Sequence, residues 1–246
     1  MTEHLRELRH FKNRCTLFIQ HLEHKNNILF LTTSTRYVEH KTDIPKTTQF
    51  ARAIAGHLRS KKKHVTVIDV ASLNIHPCEG NISGMKGNNC GVKEAALKNK
   101  RLNPTGEHRC WASVNNPDDQ LHKISRALFS SECVVFFVSV RWGQTNSVYQ
   151  RLFERLSWIE NRISTLGEKP IPQLWQLEAG IVVFGQNWRG KEVMETQKQN
   201  YRWFKFKTPA ALSFNWQATQ DATEESPRSY KQTVREFARM LDSTQL

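Results

Sequence analysis

Four short runs in the chain, residues 28–31, 65–70, 133–140 and 181–184, are almost continuously apolar, with polar stretches between them. Runs of that length, without a strict in–out alternation, are how strands buried on both faces of a parallel sheet read. The pattern predicts strands over 28–33, 64–69, 133–140 and 178–184, with a short fifth within 210–214. Between them the apolar positions recur at helical spacing. A helix over 46–61 would bury Phe50, Ala53, Ile54 and Leu58, and one over 146–162 would turn Val148, Leu152, Phe153, Leu156 and Ile159 inward. Further helices are predicted over 118–131, opened by Asn116-Pro117-Asp118, and over 191–204 and 226–241. Residues 1–24 read as a polar helix with Leu5, Leu8, Phe11, Leu17 and Leu22 on its apolar side, its His10, His21 and His24 solvated.

Strands that alternate with helices build right-handed crossovers, hence a parallel sheet with helices on both faces. Five strands suit the doubly wound order 2-1-3-4-5, a three-layer sandwich whose ligand lies beyond the carboxyl ends of strands one and three. The expected organisation is an N-terminal helical appendage, 1–26, on one domain, 27–246. Within that domain residues 71–117 are too long for a plain connection, and such an insertion serves as a lid, a binding loop or an oligomer contact.

Three loops leave the sheet where a ligand should sit. After strand one comes Thr32-Thr33-Ser34-Thr35-Arg36, and the next helix opens at Lys46-Thr47-Thr48. Hydroxyls and backbone N–H groups at a strand-to-helix turn suit an anion. A phosphate monoester would take donors from Ser34, Thr47 and Thr48 and charge from Arg36 or Lys46. The competing reading is that the hydroxyls only cap the helix. Strand three leaves through Val140-Arg141-Trp142-Gly143, where a planar ring would lie against Trp142 unless that side chain is a core anchor. Strand four leaves through Gly185-Gln186-Asn187-Trp188-Arg189-Gly190, a polar loop between glycines that allows close backbone approach. Neither G-x-G-x-x-G nor G-x-x-x-x-G-K-[ST] is present, which argues against a dinucleotide-binding turn and a P-loop.

A formal net charge of +13 favours polyanions, anionic surfaces or phosphate-bearing ligands. The cations are dispersed, however, and nucleic acid ranks behind a phosphorylated cofactor. No run approaches the roughly 18 apolar residues of a membrane span, and the charged start does not resemble an export signal, so a cytoplasmic protein with reduced thiols is expected. Of the five cysteines, Cys78, Cys90 and Cys110 fall in the insertion. Their spacing matches no compact cluster motif, and a zinc site completed by His76 or His108 stands beside plain packed thiols as an alternative. Asp118-Asp119 sits at a helix start, where capping outweighs catalysis.

Taken together, Ser34-Thr35-Arg36 with Lys46-Thr47-Thr48, the segment Ser139-Val140-Arg141-Trp142-Gly143 followed by Phe153, and Gly185 with Gly190-Lys191-Glu192 resemble the NAD(P)H-dependent FMN reductase family. That family lies within the flavodoxin-like superfamily, which also holds the iron–sulfur flavoproteins. The likeness spans about residues 27–205, with nine additional residues before Lys46 and Ser139 where proline is common. It implies a flavodoxin-like fold and FMN as cofactor. The phosphate would lie on Ser34, Arg36, Lys46, Thr47 and Thr48, and the isoalloxazine against Val140, Arg141, Trp142 and Gly143. Gly185, Gln186 and Asn187 would line the far wall. The implied activity is hydride transfer from NADPH or NADH to the flavin and onward to a flavin, quinone or similar small-molecule acceptor. A non-catalytic FMN-binding or electron-transfer module is the alternative. The resemblance also implies a homodimer or homotetramer, with helix 146–162 and the insertion as contact surfaces.

Overall fold

The computed structural model describes residues 3–35, 44–80, 89–185 and 189–216, with side chains from residue 13 onward. Five strands form a parallel sheet: β1 (Asn27–Thr32), β2 (His64–Asp69), β3 (Cys133–Arg141), β5 (Glu178–Phe184) and β6 (Phe214–Trp216). Their order is β2-β1-β3-β5-β6, and a two-residue strand β4 (Gln144–Thr145) folds back antiparallel on β3. Among the five parallel strands this is the expected 2-1-3-4-5 arrangement. The last strand lies later than expected, because residues 210–212 form a 3-10 turn after Pro209. Helix 226–241 of the sequence reading lies outside the described residues.

Alternation of side chains across the pleat divides the core in two. Ile28, Phe30, Cys133, Val135, Phe137, Val182 and Phe184 face α1 (Glu3–Glu23) and α2 (Lys46–Ser60). Leu29, Leu31, Val134, Phe136, Val138, Ile181 and Val183 face α4 (Leu121–Phe129), α5 (Ser147–Ser164) and α6 (Gly190–Trp203). The central strands are buried on both sides, while β2 is a sheet edge and its middle residues are half-buried.

Helix α1 is a layer of the domain rather than an appendage. Cys15, Phe18, Ile19 and Leu22 are buried in the same cluster as α2, while Leu17, expected inward, is exposed. Leu22 is buried as expected, but Phe18 takes the inward place expected of Leu17 and meets Phe214 edge-on at 5.3 Å. His21, expected to be solvated, joins Lys25 on the carboxylate of Glu178, each at 2.7 Å.

The insertion packs against α5, carrying a further short helix, α3 (Trp111–Asn115). Gly91, at φ +83°, lies so close to α5 that a Cβ there would sit 2.6 Å from the Trp158 carbonyl. Arg155 on α5 and Asp119 before α4 form an ion pair at 2.7 Å with both side chains 0% exposed. The guanidinium also donates to the His76 carbonyl, Ser113 Oγ and Cys110 Sγ. Burial pushes the Asp119 pKa up, but the Arg155 and Ser113 hydrogen bonds and the Arg155 charge outweigh that and hold it below the usual carboxylate range. Asp119 also accepts from the N–H of Leu121, the first residue of α4, although the N-cap itself is Gln120, and its larger role is this pair. Arg162 and Arg109 add bonds to Glu107 and Glu168. Tyr149 and Trp158, rather than the half-buried Phe153, are the buried aromatics of α5.

Candidate functional site

Parallel strands point all their carboxyl ends to one edge, and loops that follow adjacent strands are neighbours there. Thr33, just past β1, donates from its N–H and its hydroxyl to the Phe137 carbonyl of β3, at 3.1 and 3.2 Å. Asn146 ties the next link. Its amide donates to Thr33 Oγ1 at 3.0 Å and to Ser139 Oγ at 3.2 Å, while its Oδ1 caps α5 by accepting from Tyr149 N–H at 3.1 Å. On the other side Gly185 follows β5, and a Cβ on it would lie 2.7 Å from Val140 Cβ. Only glycine permits that approach. The turns after β1, β3 and β5 therefore form a continuous rim, as the sequence reading required.

Ser34, Thr47 and Thr48 are 5, 3 and 1% exposed, and among the described residues none of their hydroxyls has a hydrogen-bond partner. A buried hydroxyl left unpaired costs about 1–3 kcal/mol, and most native structures avoid it. Thr47 and Thr48 lie in the first turn of α2, where Pro45 is the N-cap, no side chain caps the helix and no residue is acidic, and Ser34 follows β1. The hydroxyls do not cap the helix, which decides against the capping alternative. Lys46 is buried beside them. Donors without acceptors at a helix N-terminus fit an anionic group with several acceptor oxygens. A phosphate monoester meets that description.

The β3 turn is a two-residue hairpin between Arg141 and Gln144, with Trp142 at φ +51° and Gly143 at φ +71°. Positive φ at both central positions favours Asn-Gly, and a bulky residue at the first position costs roughly 1–2 kcal/mol. The indole is 85% exposed, so Trp142 is not a core anchor. Arg189, also left-handed at φ +61°, is the N-cap of α6. Its stem runs over Gly143, whose Cβ, if present, would be 3.2 Å from Arg189 Cδ. Lys46, Arg141 and Arg189 make the described part of the rim positive. Arg36, Gln186 and Asn187 lie outside the described residues.

This sheet order with a switch point between β1 and β3 defines the architecture. The fold is flavodoxin-like. RosB, in a crystal structure with a bound 8-demethyl-8-formylriboflavin-5'-phosphate intermediate, shares the flavodoxin-like fold at a TM-score of 0.53 and 11% identity, the match covering 89% of this chain and 80% of that one. The azoreductase AzrA matches at a TM-score of 0.50 and 10% identity, over 88% of this chain and 99% of its own. No protein-family model and no curated protein matches the sequence. The flavodoxin-like fold is thus shared with RosB and an azoreductase, at identities that establish fold alone.

Two features of the flavodoxin-like frame escaped the sequence reading. Asn146 ties the first and third turns together, and its one signal was an asparagine directly before a helix. Arg189 was read only as part of a glycine-flanked loop. The cysteines of the insertion are all free thiols, with Cys110 buried and Cys78 exposed. Among the described residues no group of three or more His, Cys, Asp or Glu side chains is placed to hold a metal, and no helix is long and apolar enough to cross a membrane.

Proposed function

We propose that the chain binds FMN at this rim and is an NAD(P)H oxidoreductase passing electrons to a small-molecule acceptor. The observation that carries the reading is the set of three buried hydroxyls, on the β1 turn and in the first turn of α2, that lack a hydrogen-bond partner among the described residues. Ser34, Thr47 and Thr48 would donate to the phosphate of FMN, with Lys46 and Arg36 supplying charge. The backbone of Val140 to Gly143 would meet the polar edge of the ring system, and Gly185, Gln186 and Asn187 would line its far side. When bound, FMN supplies the hydride-accepting and electron-delivering chemistry. The protein's part is to orient the rings, and Arg141 places positive charge beside the edge where negative charge develops. The RosB structure, which holds a riboflavin-5'-phosphate derivative, supports a flavin monophosphate as the class of ligand. Self-association as a homodimer or homotetramer belongs to the same proposal. Because the insertion covers the Arg155 and Trp158 side of α5, its outer surface is the candidate contact.

The deciding experiment titrates flavin-free protein with FMN and riboflavin, reading quenching of flavin fluorescence. Binding of FMN at least about tenfold tighter than riboflavin is expected, because the phosphate contacts are charge-assisted. Equal affinity, or none, overturns the reading. Anaerobic addition of NADH or NADPH should then bleach the bound flavin. Flavin that binds without bleaching would leave a non-catalytic FMN-binding module.

A further inference from the structure

The end of the sheet opposite the rim has a chemistry of its own. Helix α6 follows β5 and returns before the parallel β6, so its last residue, Trp203, lies at the amino edge. Trp175, just before β5, lies at the same edge. Main-chain bonds tie the two segments together. Lys207 N–H donates to the Leu177 carbonyl at 3.0 Å, and Ala179 N–H donates to the Lys207 carbonyl at 2.7 Å. Trp175 and Trp203 are 57 and 65% exposed. Arg202, Lys205 and Lys207 are exposed as well, and neither 169–177 nor 196–216 contains an acidic residue. At the β2 end of this edge the exposed Lys61 and Lys62 follow α2. Two carboxylates there are already engaged: Glu178 by His21 and Lys25, and Glu132 by the Asn26 and Asn27 N–H groups. Lys62 and Lys205 stand just past their helices at φ +62° and +63°, a place that favours glycine. Each holds a cation at this edge where glycine would be less strained.

We propose that this amino edge docks on an anionic lipid surface. Indoles settle at the boundary between hydrocarbon and headgroups, and lysine and arginine reach anionic headgroups from the same plane. A second copy of the chain is a poor occupant. A two-fold contact here would set Arg202, Lys205 and Lys207 against their own images. Single-stranded nucleic acid shares the negative charge but needs aromatics along a groove that tracks the strand. The cavity of about 330 Å³ at this edge, lined by Lys25, Glu132 and Lys207 among others, includes neither indole. Lipid is the better match. The docked chain turns the carboxyl rim away from the bilayer, and the inference does not rest on the FMN reading.

Sedimentation of the full chain with vesicles tests it, using phosphatidylcholine alone and phosphatidylcholine mixed equally with phosphatidylglycerol. Partition into the mixed vesicles should be at least about tenfold stronger and should weaken as salt is raised. Lys205→Gly relieves the left-handed backbone, so it should fold at least as well as wild type, yet lose about fivefold in partition. Trp175→Ala and Trp203→Ala should each lose several-fold, since binding scales with the apolar area inserted. Lys123, an exposed cation in the first turn of α4 and hence at the carboxyl edge, controls for net charge. Lys123→Gln should partition as wild type does. Equal losses in Lys123→Gln and Lys205→Gly overturn the proposal, as does a wild-type chain with no preference for the anionic vesicles. A chain that binds single-stranded DNA but not vesicles overturns it too, and so does a dimer that Trp203→Ala dissociates.

Discussion

Two buried polar regions of this molecule are organised in opposite ways. Where the insertion meets α5, Arg155 and Asp119 are fully buried and every charge has its partners, with Ser113, Cys110 and the His76 carbonyl filling out the guanidinium. After β1 and in the first turn of α2, Ser34, Thr47 and Thr48 are also buried and have no hydrogen-bond partner among the described residues. The ion pair is complete without any ligand and serves the fold, while His108 Nε2 and Trp158 Nε1 nearby are buried without a hydrogen-bond partner among the described residues. The second region is complete only when something with acceptor oxygens arrives. Burial is common to both, and so is an isolated unpaired ring nitrogen or two; what marks the second region is several unpaired hydroxyls beside a helix start that no side chain caps.

The contrast breaks most visibly at Asp119. Asp119→Ala leaves a buried guanidinium without its counter-ion and should cost about 3–5 kcal/mol in denaturant unfolding, since removing one partner of a buried pair strands the other. Phosphate affinity of the protein that remains folded should not change.

Acid should act on the same region. His108, buried with its Nδ1 at 2.7 Å from Ser125 Oγ, has its pKa lowered to about 3, chiefly by desolvation. The unfolded chain takes up that proton near pH 6.5 and the folded chain does not. Stability should therefore fall as pH drops from about 6.5 towards 3, by up to roughly 1.4 kcal/mol per pH unit. Asp119, depressed by Arg155, adds a further loss below about pH 4, where the unfolded carboxyl protonates first. Unfolding free energies measured across pH 7 to 4 should flatten in His108→Gln; an unchanged slope would show that another group carries it.

At the cradle the sign reverses. Thr47→Val keeps the shape and removes an unpaired buried hydroxyl, so the ligand-free protein should be as stable as wild type or gain about 1 kcal/mol. FMN affinity should fall about tenfold in the same variant. Loss of stability together with unchanged FMN affinity would make Thr47 structural, erasing the distinction between the regions.

The smallest effect lies at the hairpin. Trp142→Asn relieves a left-handed Trp ahead of Gly143 and should raise stability by about 1 kcal/mol, read as a small increase in Tm. A decrease would mean that the indole packs in a way its exposure does not reveal.

Much of the frame was legible because its signals are local. Apolar runs such as 133–140 identify strands buried on both faces, and a hydroxyl-rich start to α2 identifies a turn suited to an anion. On α1 the inward place of Phe18 was read onto Leu17, since Leu17 and Phe18 are equally apolar and only the neighbouring α2 and β6 decide which one turns inward. Arg155 could not be placed either: a helix position reads as exposed when it is charged, and its buried counter-ion lies 36 residues away in sequence.

By itself the chain determined four of the five parallel strands, the main helices between them, their doubly wound order and the turns at the carboxyl edge. Those follow from periodicity and chain chirality, which act over a few residues. Only tertiary structure decided that Asn146 binds Thr33 to Ser139, that the hydroxyls of Ser34, Thr47 and Thr48 lack partners among the described residues, and that the Trp142 indole is exposed. The reason is that satisfaction and exposure are properties of what surrounds a group, and those surroundings come from residues far apart in the chain.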